Sequence, residues 1–231
     1  MPTKKPNKRQ QTLLELIAQE QAKKGQPQEL PQETPLSEQW IMLQLIPHKA
    51  VTFITGPDST DKTRLAIDLA YSVSTGIRFV YFPITRPGNV LYITSEPSSV
   101  FQQRVNAMNR IYYGVENFYW ISKQDLSIEK DIEQTNPVLV VIDKIKTNSM
   151  YRLLQSWINK YECGVMVVSN EDSYFIDQAD VVISYSELSD NKVAINIEKT
   201  KFESDYLKTK KISIPLYLSY KNSFHDINHC Y

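Results

Sequence analysis

Short apolar, β-branched runs alternate along most of the chain with longer stretches whose apolar residues recur every three or four positions. The runs AVTFIT (50–55), NVLYIT (89–94), NFYWIS (117–122), VLVVID (138–143) and GVMVVSN (164–170) predict strands, and segments 62–74, 98–112 and 150–161 predict helices. The order is strand, helix, strand, helix, strand, strand, helix, strand. It predicts an α/β fold, a mainly parallel sheet covered by helices on both faces. The tail differs: DVVISYSE (180–187), KVAINIEKTKF (192–202) and KISIPLYLSY (211–220) follow one another as strands with no helix between them. An antiparallel extension at one sheet edge is the expected outcome.

Ahead of this pattern, Leu13, Leu14, Ile17 and Ala18 share one face of an amphipathic helix over 11–24. A basic arm with Lys4, Lys5, Lys8 and Arg9 precedes it, and GQPQELPQETP (25–35) follows as an extended linker. The expected organisation is therefore an appendage over 1–35 and one globular domain over 36–231.

Composition narrows the function only a little. Twenty-six basic and 26 acidic residues cancel, so nucleic-acid binding has to come from local patches or from assembly. Cys163 and Cys230 form no CxxC pair and no metal cluster, which fits a reducing, cytoplasmic setting. The apolar runs are too short to cross a bilayer, so a soluble protein without a membrane partner is expected. His48, His225 and His229 form no motif.

Between the strand at 50–55 and the helix at 62–74 lies Gly56-Pro57-Asp58-Ser59-Thr60-Asp61-Lys62-Thr63, followed by Arg64. The spacing is that of a phosphate-binding loop, GxxxxGK[ST], in its required strand-to-helix context. Such a loop aims backbone N–H groups and a positive helix end at phosphate oxygens; Lys62 adds a charge, and Thr63 is a Mg²⁺ ligand. Residues Gly56 to Arg64 are thus the candidate nucleotide-binding set, with ATP and Mg²⁺ as the implied ligand and cation. Asp61 stands where the second glycine belongs. Repulsion between like charges ~4 Å apart is roughly 1 kcal/mol in water and several-fold more when partly buried. A carboxylate turned outward leaves binding intact; one turned inward weakens it or makes it depend on metal.

Asp143 ends an apolar strand in the form of a Walker B acid, which holds the Mg²⁺ shell. Glu96 ends another. Two readings of it stand on the residues alone: a carboxylate that positions the attacking water, or an acid at a helix N-terminus.

In this order, LIPHKAVTFITGPDSTDKTRLAIDLAYSVSTG, RPGNVLYITSEPSSVFQQRVNAM, NPVLVVID and QADVVISYSELSDNKVAINIEKTKF resemble the RecA-like P-loop ATPases, especially the plasmid RepA-type hexameric helicases and their DnaB and RadA relatives. The resemblance implies a RecA-like core, Lys62 and Thr63 on phosphate and Mg²⁺, Asp143 as the Walker B acid, and Glu96 as the catalytic carboxylate assisted by Lys62. It also implies a homo-oligomer, a ring or filament, in which Lys199 and Lys201 act in trans on a neighbour's γ-phosphate; the same lysine pair fits a solvated strand face. Asn170 falls where relatives sense the γ-phosphate with His or Gln. The stretches after Asp143 and after Asn170 are short where relatives carry DNA-gripping pore loops, so processive helicase work is not implied.

Two further readings come from other classes. One is a degenerate scaffold or regulator that binds a partner protein or DNA with little or no ATP hydrolysis, as Asp61 and the short loops suggest. The other is a DNA-binding regulator that uses the Lys4 to Arg9 arm and Lys208, Lys210 and Lys211 on phosphates. For that role Tyr112, Tyr113, Tyr119 and Trp120 are stacking candidates, although their strand and helix spacing fits core or interface packing better.

Overall fold

The computed structural model describes residues 36–57, 62–112, 115–123, 127–144, 151–169, 176–188, 192–202 and 214–217. The chain divides into units Met1–Thr34 and Pro35–Tyr231, and every described residue belongs to the second. The predicted arm, amphipathic helix and linker, together with Tyr113, Asn170, Lys208, Lys210 and Lys211, lie outside the described residues.

A short helix, α1 (Leu36–Gln39), leads into the hairpin β1 (Trp40–Met42) and β2 (Ile46–Pro47). The main elements follow as β3 (Val51–Thr55), α2 (Lys62–Thr75), β4 (Val90–Thr94), α3 (Ser98–Ile111), β5 (Phe118–Ser122), α4 (Glu129–Thr135), β6 (Leu139–Asp143), α5 (Tyr151–Tyr161), β7 (Gly164–Val168), β8 (Val181–Leu188), β9 (Lys192–Thr200) and β10 (Ile214–Tyr217). Strands β3 to β10 form one eight-stranded sheet in the order β10-β9-β8-β3-β7-β6-β4-β5. From β8 to β5 the strands run parallel; β9 and β10 pair antiparallel at the β8 edge. The α/β expectation, with its antiparallel C-terminal edge, holds.

Because successive strand side chains face opposite sides, each buried strand feeds two cores. On β6, Leu139 and Val141 join Ile54, Tyr92, Met166, Leu69 and Phe101 beneath α2 and α3. Val140 and Ile142 join Phe53, Leu91, Val167, Ile132, Leu154 and Trp157 beneath α4 and α5. Helix α2 is buried from Lys62 to Ser74 except at Arg64, as expected of a helix enclosed on all sides.

Helix α1, helix α4 and the β1–β2 hairpin were not predicted. Helix α4 lies where the sequence pattern gave two strands in succession. Parallel strands need a crossover, and α4 supplies it; Ile128 and Ile132 seat it on the sheet, and Asn136 ends it in the left-handed conformation at φ 43°. Seven residues with one apolar repeat are too few to stand out. The β1–β2 hairpin was also missed. It packs over the start of β7, where a Cβ on Gly164 would lie 2.7 Å from Ile41 Cδ1 and 3.0 Å from the Pro47 carbonyl oxygen. His48 supports the same corner, with Nδ1 3.1 Å from the Glu38 oxygen and Nε2 2.7 Å from the Glu162 oxygen.

Gly164→Ala is expected to lower the unfolding free energy by about 1–3 kcal/mol, since the Pro47 oxygen is backbone and cannot swing aside. An unchanged urea midpoint would show that the hairpin is not seated on β7.

Candidate nucleotide-binding site

Register brings the predicted site residues level. Ile54 pairs with Val168, Val168 with Asp143 and Asp143 with Thr94, so β3, β7, β6 and β4 end together. Gly56 and Glu96 follow immediately beyond β3 and β4, and the N-terminus of α2 closes over the same rim. Gly56 turns the chain out of β3 at φ 153°, a conformation that side chains oppose. Lys62 and Thr63 are buried in the first turn of α2, and Arg64 is half-buried beside them. The Lys62 ammonium donates to the Gly56 oxygen at 2.9 Å and the Pro57 oxygen at 2.6 Å, folded back onto the start of its own loop. Asp58, Ser59, Thr60 and Asp61 lie outside the described residues.

Asp143 continues the parity of Leu139 and Val141 and therefore faces α2. It is fully buried. Its Oδ2 accepts the Tyr92 hydroxyl at 3.0 Å, and Thr63 is a further neighbour that lowers the carboxyl pKa. Its Oδ1 is buried with no hydrogen-bond partner. Burial pushes the carboxyl up to about 6, against the downward pull of Thr63, Tyr92 and the Lys144 charge, while Glu96 adds to the rise. The Tyr92 phenol is held well above its usual range by burial and by Asp143. An orphaned carboxylate oxygen beside a threonine hydroxyl is an oxygen donor pair that fits Mg²⁺, a hard cation that keeps several waters.

Glu96 is nearly buried and faces two cations. Lys144 Nζ lies 2.5 Å from Oε1, and Arg104 Nε on α3 lies 3.3 Å from Oε2. Its backbone is held by Thr94 Oγ1, which accepts the Glu96 N–H at 3.1 Å, and by Ser122 Oγ, which donates to the Glu96 oxygen at 2.6 Å. The carboxylate is therefore spent on side-chain cations rather than on the N-terminus of α3. Sequence reading missed both Lys144 and Arg104. The one available signal was a lysine immediately after the Walker B acid.

Lys199 and Lys201 are not brought to this rim. They sit beside the start of β8, at the opposite end of the sheet. Lys199 Nζ donates to the oxygens of Ile176 at 3.1 Å and Asp177 at 2.6 Å; Lys201 Nζ reaches the Gln178 oxygen at 3.1 Å and Asp180 Oδ1 at 2.8 Å. Of the stacking candidates, Tyr112 packs on Tyr71 with ring centroids 5.4 Å apart, and Trp120 packs on Phe101 at 5.1 Å. Tyr119 is exposed on the edge strand β5. Among the described residues, no helix is long and apolar enough to cross a membrane.

The Asp143 carboxyl titrates near 6 in the fold against an ordinary 3.8. The fold therefore penalises its ionised form: the penalty is absent below about pH 4, grows from there to about pH 6 and is complete above, where it reaches about 3 kcal/mol. Asp143→Asn is expected to raise the unfolding free energy at pH 7.5 by about 2–3 kcal/mol and to leave little difference at pH 4. Urea denaturation at the two pH values checks it; equal stability at pH 7.5 would show that the buried charge costs nothing.

Residues 20–153 match a family described as AAA domain. No curated protein matches the chain. The matched span contains Gly56, Lys62, Thr63, Glu96, Arg104, Asp143 and Lys144, which the structure gathers at the rim, and leaves out Asn170, Lys199 and Lys201. More than half of the 231 residues fall within it, the sheet is that of an α/β P-loop NTPase core, and the chain belongs to the AAA domain family of P-loop ATPases.

Proposed function

We propose that the protein binds Mg²⁺-ATP and hydrolyses it as a RecA-like, oligomeric ATPase serving DNA replication, recombination or mobile-element maintenance in the cytoplasm. The observation that carries the catalytic part is the level register of the strand ends, which sets the phosphate-loop residues Lys62 and Thr63, the buried Asp143 and Glu96 on one rim. The residues divide the work. The Lys62 ammonium leaves the Gly56 and Pro57 oxygens for phosphate oxygens, and the α2 N-terminus presents its N–H groups to the same anion. Thr63 and the Asp143 Oδ1 hold the cation. When bound, Mg²⁺ neutralises charge on the phosphate oxygens. Glu96 orients the water and takes its proton. The sequence resemblance supports the oligomer, with Asn170 as a γ-phosphate sensor and Lys199 or Lys201 reaching a neighbouring subunit. The DNA partner rests on that resemblance and on the basic arm.

A second reading keeps nucleotide binding and drops turnover, leaving a scaffold that binds a partner protein or DNA. Asp61 in the loop and the two cations on Glu96 favour it.

Calorimetry with Mg²⁺-ATP, coupled to light scattering and to phosphate release with and without single-stranded DNA, separates the readings. Lys62→Ala is expected to weaken nucleotide binding by about 100-fold or more, and Glu96→Gln to bind at least as tightly as the wild type while lowering turnover by about 10²–10³. Tight binding without phosphate release under either condition moves the protein to the scaffold reading. Absence of binding sinks both.

A further inference from the structure

Lys144 is the residue after Asp143, and its position is fixed by cross-links between β4 and β6. Ser95 Oγ donates to the Lys144 oxygen at 2.7 Å, and the Ser95 N–H donates to the Asp143 oxygen at 3.3 Å. The backbone at Lys144 is left-handed, at φ 59°, a conformation uncommon for a residue with a long side chain. The root of that side chain is therefore held one residue beyond the Walker B acid. From there the ammonium reaches Glu96 Oε1 at 2.5 Å, although the side chain is 48% exposed. Its charge is also felt by the Asp143 carboxylate.

One nearly buried carboxylate faces two cations, Lys144 and Arg104. Lys144 is the more exposed of the two cations, with 48% against 32% for Arg104, so less desolvation holds it in place. A phosphate terminus carries more negative charge than a carboxylate and is a good partner for a compact ammonium. Lys199 and Lys201 lie at the far end of the sheet on oxygens of their own chain. Lys144 is already at the rim.

On the ATP-binding reading above, we propose that Lys144 is a terminal-phosphate ligand acting in cis. It is paired with Glu96 in the nucleotide-free protein and transfers to the terminal phosphate of bound ATP. The transfer leaves Glu96 Oε1 open to the attacking water, while Arg104 keeps the carboxylate in place. ADP lacks that phosphate and leaves Lys144 on Glu96. The same lysine thus discriminates ATP from ADP and releases the water-positioning group only when there is a phosphate to cleave.

The test is calorimetric titration with Mg²⁺-ADP and with a non-hydrolysable Mg²⁺-ATP analogue. Lys144→Ala is expected to weaken the analogue by about tenfold and to leave ADP within about twofold. Glu96→Gln, which frees the ammonium, is expected to tighten the analogue, and the gain should vanish when Lys144→Ala is added. Lys144→Gln keeps most of the stem without the charge and gives the same readout should the alanine variant fail to fold. Lys144→Arg should retain part of the preference. If the wild type binds both nucleotides and Lys144→Ala leaves their affinity ratio unchanged, the proposal is overturned and ATP binding stands. If the wild type binds neither, both fall.

Discussion

A carboxylate with no exposed surface, Asp143, sets the terms for the upper end of the sheet. Ionised in that position it works against folding, and its neighbours are arranged to reduce the cost. Tyr92 carries a hydroxyl into the core to reach Oδ2, Thr63 lowers the cost from the first turn of α2, and Lys144 adds a positive charge from the next residue. None of these removes the penalty, because Oδ1 has no partner. A sequence selected for stability alone would place an amide or an aliphatic residue here. An acid buried in a rim shared with a phosphate-loop lysine and threonine is better understood as a site whose missing partner is a ligand.

That rim is positively biased. Lys62, Lys144 and Arg104 face Asp143 and Glu96, and the N-terminus of α2 adds its own partial positive charge. Each cation is meanwhile kept busy: Lys62 by two backbone oxygens, Lys144 and Arg104 by Glu96. Polyphosphate binding on such a surface is an exchange of partners rather than the filling of a vacant charge. The gain is smaller than a count of contacts suggests, because bonds are broken as others form.

The sequence disclosed those parts of the site whose residues sit at strand ends. An apolar run that stops at Asp143, another that stops just before Glu96, and a strand-to-helix loop ending in Lys62-Thr63 can be read because chain order and spatial order coincide there. The partners of Glu96 could not be read in that way. Lys144 lies 48 positions from it, and only the pairing of β4 with β6 brings the two together. Arg104 requires the docking of α3. The K-x-K on β9 is a different case: its spacing fits a family motif, and within the chain both lysines rest on the oxygens of Ile176, Asp177 and Gln178. Helix α4 and the β1–β2 hairpin were missed for lack of length, since neither runs long enough to express a period.

The far end of the sheet explains why the lysines of β9 matter even away from the rim. Lys201 holds Asp180 through Oδ1, and Asp180 Oδ2 accepts the Val51 N–H at 2.9 Å, so the first residue of the phosphate-loop strand is fastened by the antiparallel edge. At its other end the Ile54 oxygen accepts the Ser169 N–H at 3.1 Å. Between these points β3 pairs with β7 on one side and β8 on the other. The strand is therefore restrained along its whole length, and the exchange of partners proposed for Lys62 and Lys144 is one of side chains. A rigid base and a rim of exchangeable ion pairs are two halves of one arrangement. Exchange of charges at the rim can be selective only if the backbone that presents them stays where it is.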